Sequence, residues 1–106
     1  MERAEFIKLS SRALERIEEG LADLEHESLD VDLAGDVLTV DFSDGTKFVI
    51  NSHSAAGQIW MAANRSAWHF DYVPESETWV ASKSDDELMA TVCREVGGKL
   101  GVDVTL

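Results

Sequence analysis

The chain holds one cysteine, one proline and one tyrosine in 106 residues, and only nine lysines and arginines against 21 aspartates and glutamates. Each shortage excludes something. Cys93 alone can form no intrachain disulfide, which fits a reducing cytosol. A formal net charge of −12 with an isoelectric point near 4.4 argues against nucleic acid, since phosphates would be repelled. No stretch approaches the roughly 20 apolar residues of a membrane span, and Met1 to Lys8 lacks the apolar run of a signal peptide. The expected location is therefore cytoplasmic. There is no Gly-x-Ser-x-Gly, no Gly-rich phosphate loop, no His-x₃-His or Cys-x₂-Cys spacing, and no Ser/His/Asp set. An ordinary enzyme is disfavoured.

What remains is acid, and it is concentrated. Between Glu15 and Asp36 lie Glu15, Glu18, Glu19, Asp23, Glu25, Glu27, Asp30, Asp32 and Asp36, against Arg16 alone. Phe6, Leu9, Ala13, Ile17, Leu21 and Leu24 recur every three or four residues, the stripe of an amphipathic helix that continues through Gly20. The carboxylates thus crowd a helix C-terminus, whose partial negative charge opposes them. Glu15 and Glu19 stand one helical step apart, with Cβ atoms about 5–6 Å from each other. Two such carboxylates can share an oxygen-seeking cation such as Fe²⁺, Fe³⁺, Mn²⁺ or Ca²⁺, without a closed cage and hence weakly. The competing reading is a solvated face that keeps the protein soluble. His26, between Glu25 and Glu27, could add a nitrogen ligand or be a spectator. Asp30 and Asp32 point to one side of a strand and could lie beside the helical carboxylates.

The rest reads as strands and a closing helix. Leu29, Val31 and Leu33 alternate with Asp30 and Asp32, the period of a half-buried strand. Val37 to Phe42 and Thr46 to Ile50 flank Asp44-Gly45, a hairpin signal. Further runs are Gln58 to Ala62, Ala67 to Val73 and Thr78 to Ala81. Ser84-Asp-Asp-Glu87 reads as a capping box opening a last helix with the stripe Leu88, Met89, Val92, Cys93, Val96 and Leu100. Cys93 belongs to that packing stripe. Strands joined by short turns imply an antiparallel sheet covered on one face by N- and C-terminal helices, an α+β two-layer sandwich in a single domain, 1–106. With Ile59 and Met61 toward the helices, Trp60 lies on the uncovered face, where it suits an interface. His69 and Asp71 share a strand face, close enough to interact. Trp79, after a turn, reads as packing.

These features together resemble the frataxin family in its bacterial form. The matching residues are Glu18-Glu19, Leu38-Thr-Val-Asp-Phe-Ser-Asp-Gly-Thr-Lys-Phe-Val-Ile-Asn51, Gln58-Ile-Trp-Met-Ala62, Trp68-His-Phe-Asp71 and Trp79, spanning about residues 5 to 100. The chain departs at Ala55, where proline is usual, at Ser66-Ala67, where a glycine pair is usual, and at Trp68, where tyrosine is common. The resemblance implies a protein of iron–sulfur cluster assembly, acting as iron donor, as regulator of the cysteine desulfurase, or both. It implies weak binding of Fe²⁺ and Fe³⁺ by an acidic ridge, with Glu18, Glu19, Asp23, Asp30 and Asp32 as ligands and Glu15, Glu25 and His26 peripheral. The same ridge, through Glu18, Glu19 and Asp23, is expected to dock on a basic patch of the desulfurase. Asn51, Gln58 and Trp60 are further partner contacts, the scaffold protein among the candidates. A monomer without metal is expected. The alternative is an enzyme oxidising Fe²⁺, which needs a defined metal centre with buried carboxylates and histidine. Oxygen consumption with Fe²⁺ separates the two.

Overall fold

The computed structural model describes residues 1–106. Helix α1 (Arg3–Ala22) opens the chain, strands β1 (Leu29–Ala34), β2 (Val37–Phe42), β3 (Lys47–His53), β4 (Gln58–Ala63), β5 (Ser66–Val73) and β6 (Thr78–Ala81) follow, and helix α2 (Leu88–Leu100) closes it. The strands form one antiparallel sheet in sequence order, β1 to β6. Alternation along each strand sends Leu38, Val40, Phe42, Phe48, Ile50, Ile59, Met61, Phe70, Trp79 and Ala81 into one core with the apolar stripes of both helices. The expected α+β sandwich is thus present, its other sheet face left open.

The helices differ from expectation in detail. α1 runs through Gly20 and ends at Ala22, so Leu24 packs against the core from a turn and not from the helix. A Cβ at Gly20 would meet only the tip of the Leu106 side chain, which lies against the helix and can turn aside, so packing does not require glycine there. The buried face of α1 also includes Leu14 and Ser10, and that of α2 includes Thr91. Both hydroxyls are satisfied by their own helix, Ser10 Oγ donating to the Ile7 carbonyl at 3.3 Å and Thr91 Oγ1 to the Glu87 carbonyl at 2.7 Å.

The expected capping box at Ser84 does not form. Asp85 adopts a left-handed φ of 60°, and the Ala81 N–H donates to the Asp86 carbonyl at 2.9 Å, so this segment is held to the β6 edge instead of coiling. Glu87 is the N-cap itself: its carboxylate accepts the Met89 and Ala90 N–H groups at 2.8 and 3.0 Å. Glu87→Ala is expected to destabilise the fold by about 0.5–2 kcal/mol, whereas Ser84→Ala changes little. Urea denaturation of the two variants checks this, and equal losses would contradict it.

Candidate functional site

The last turns of α1 carry the acid. Glu15, Glu19 and Asp23 are exposed and Glu18 is half-buried at the helix margin, with no basic residue in the final turn. Asp23 is the C-cap, its N–H donating to the Glu19 carbonyl at 3.0 Å, so its carboxylate sits at the negative end of the helix. None of these four carboxylates, nor Asp30 or Asp32, has an ion-pair partner. The acidic groups that do are elsewhere, at Asp41, Asp44, Asp86 and Glu95. Unpaired carboxylates occur elsewhere too, as at Glu75 and Glu77, but between Glu15 and Asp36 all nine acidic side chains lack an ion pair, the densest such run in the chain.

The structure divides the expected ligands. Leu29, Val31 and Leu33 pack on the core, so the intervening Asp30 and Asp32 emerge on the open face of the sheet, opposite the layer of α1. They flank the helical carboxylates around the β1 edge and do not converge with them. Glu25, at a left-handed φ of 48°, is exposed in the connecting turn. His26 accepts the Ser28 N–H on Nδ1 at 3.1 Å and lines a cleft of about 160 Å³ with Asp44 and Lys99, so a cation already sits in its surroundings. No three His, Cys, Asp or Glu side chains form a group that could hold a metal. Oxygen donors on this surface suit a hard ion chemically, but one or two at a time.

The open face has a second feature. Trp60, on β4, pairs across to Asn51 on β3 and to His69 on β5. Its indole is stacked between two imidazoles, His53 at 3.9 Å and His69 at 4.3 Å between ring centroids, nearly parallel to both. The Trp60 Nε1–H donates to Gln58 Oε1 at 2.9 Å, and Gln58 Nε2 donates to Asp71 Oδ1 at 3.1 Å. Trp60 does lie on the uncovered face, but half-buried, with both ring faces and its N–H engaged. What it offers is an edge held in a fixed pose. His69 and Asp71 make no direct hydrogen bond; Trp60 and Gln58 lie against them instead. No motif in the sequence marks His53. Its signal was available, since it falls two residues after Asn51 and so on the same strand face.

Other polar groups serve the scaffold. The Asp44 carboxylate, at the β2–β3 turn, accepts from Lys99 of α2 and from the Thr46 N–H, which hold its pKa down to about 2. Asp86 is likewise held low, by Ser84, the Trp68 indole N–H and Arg94. Burial pushes the Cys93 thiol up, which favours an unreactive packing residue. Trp79 is buried, edge-on to Phe6 and Tyr72. No helix is long and apolar enough to cross a membrane.

Fold and surface together define a small two-layer domain whose distinctive groups lie on its outside: a strip of unpaired carboxylates at one sheet edge and a clamped tryptophan on the open face. The sequence model of the frataxin-like domain matches residues 1–102, and the chain belongs to that family. It is 35% identical to the iron–sulfur cluster assembly protein CyaY of Ralstonia pickettii, over 100% of this chain and 95% of that one. The protein of the same name from Ralstonia nicotianae is 36% identical over 97% of this chain and 92% of that one. Among solved structures, frataxin from Psychromonas ingrahamii superposes with a TM-score of 0.90 at 28% identity, covering 99% of this chain and 97% of that one. At the positions where the chain departs from the usual pattern, other residues carry the turns. Asn64 adopts the left-handed φ of 56° before Ser66-Ala67, and Gly57 the φ of 66° after Ala55.

Proposed function

We propose that this chain is an iron-binding adaptor of iron–sulfur cluster assembly, whose acidic strip both holds iron weakly and docks on a basic patch of the cysteine desulfurase. The observation that carries the reading is the set Glu15, Glu18, Glu19 and Asp23, gathered without cationic partners at a helix end that opposes them. Such a surface is electrostatically frustrated alone and relieved by a bound cation or a basic protein. The names of the relatives place them in cluster assembly, in agreement with this reading. Iron is cargo here. Scattered carboxylates hold it through one or two oxygens at a time, which suits release to an acceptor or exchange for a protein partner. Asn51, Gln58 and the Trp60 edge form a separate contact, with the scaffold protein as its candidate.

The test is a pair of NMR titrations, one with Fe²⁺ under anaerobic conditions and one with the desulfurase. Both are expected to perturb or broaden the amides of residues 15 to 23. Perturbation confined to other regions in either titration would defeat the shared-surface reading.

A further inference from the structure

A sheet offers unpaired N–H and C=O groups along each outer strand unless something covers them. On the β6 side something does: Val80 bridges to Glu87, and Ala81 donates to the Asp86 carbonyl. The β1 side is different. Asp30 pairs with Asp41 and Asp32 with Thr39, and just before the strand Ser43 N–H donates to the Ser28 carbonyl at 2.9 Å. Backbone groups on an antiparallel strand alternate between its two sides. Residues 28, 30, 32 and 34 therefore face β2, while Val31 and Leu33 turn both their N–H and C=O outward, and Leu29 its C=O. Only the Leu29 N–H on that side is used, by the His26 carbonyl at 3.1 Å.

We infer that β1 is a docking edge for an extended basic segment of the partner, which adds to the sheet as a seventh strand. This rests on the reading that a basic protein docks at the acidic surface, and it specifies how. Successive side chains of an added strand point to opposite faces. On the open face they come beside Asp30 and Asp32, and on the other they enter the layer of α1, whose last turns carry Glu15, Glu18, Glu19 and Asp23. A run of lysines or arginines thus meets carboxylate on both sides, while its backbone pairs with Val31 and Leu33. Charge also excludes a second copy of the chain. Two β1 strands edge to edge would set Asp30 and Asp32 near their own counterparts, in a protein of net charge −12. Strand addition draws affinity from the main chain and specificity from the side chains.

A short oligoarginine peptide and its fully N-methylated form have the same charge, and only the first has backbone N–H donors. The unmethylated peptide is expected to bind roughly tenfold more tightly and to slow hydrogen exchange at the Val31 and Leu33 amides by at least about tenfold. Equal affinities, or unchanged exchange at both amides, overturn the inference. The desulfurase, tested the same way, separates this inference from the reading beneath it. If it binds while Val31 and Leu33 exchange freely, edge pairing is wrong and surface docking stands. If it does not bind, the docking reading fails, and the peptide pair still decides the edge.

Discussion

Exchanging Glu18 and Glu19 together for lysine is expected to weaken docking on a cysteine desulfurase by roughly a hundredfold at physiological salt, and to weaken iron binding in parallel. Both side chains lie in the last turns of α1, one exposed and one half-buried, and neither belongs to the core, so the fold survives. The substitution replaces two negative charges with two positive ones on the surface proposed to meet a basic patch, turning attraction into repulsion. It also places cations where the helix end favours them. The melting midpoint at low salt should therefore rise by roughly 2–4 °C, the shift that about 0.5 kcal/mol gives a domain of this size. Added salt should erase most of that gain. Calorimetry with the desulfurase and melting curves at two salt concentrations check the pair of outcomes. Unchanged docking defeats the functional reading, and a fall in the midpoint defeats the account of helix-end repulsion.

Phe48→Ala is expected to cost about 3–5 kcal/mol, a large part of the roughly 5–15 kcal/mol by which a domain of this kind is stable. Phe48 is fully buried on β3, edge-on to Phe42 at 4.7 Å between centroids, in the hairpin that joins the acidic edge to the middle of the sheet. Phe42 in turn lies beneath the Lys99 ammonium, which also pairs with Asp44 at the turn. Removing the Phe48 ring empties the centre of that cluster, and a closely paired β2–β3 ladder has little freedom to collapse into the gap. Urea denaturation measures the loss. A change below about 1 kcal/mol would show that the hairpin core relaxes freely, contrary to its packing.

The fold was largely legible because its strands alternate cleanly and its turns are short. Leu38, Val40 and Phe42 against Thr39 and Asp41 could point only one way. Errors fell where local patterns admit two outcomes. Ser84-Asp-Asp-Glu87 has the spacing of a capping box, but the pairing of Glu87 with Val80 delays the helix, and tertiary contact overrides the local signal. Ser10 and Thr91 were hidden from the apolar stripes because a hydroxyl can be buried when its own helix accepts its proton. At the candidate site, the helical carboxylates were readable from spacing alone. That Asp30 and Asp32 stand on the far face follows from their alternation with Leu29, Val31 and Leu33, once the layer holding α1 is known. The imidazole clamp on Trp60 required the register of three strands, which no single segment carries.

The sequence-order sheet has a kinetic consequence. Every strand pairs with its immediate neighbour along the chain, from β1 with β2 to β5 with β6, so the ladder can zip hairpin by hairpin across short loops. Closing a short loop loses little chain entropy, and topologies rich in local contacts cross lower barriers to the native state. The distant events are those of the helices and the chain's end: Phe6 meets Trp79, Lys99 meets Asp44, and the Arg16 guanidinium donates to the Leu106 carbonyl at 2.7 Å. Folding should thus lay down the open face, with Trp60 between its histidines, before the helices and the chain's last residues are locked in place.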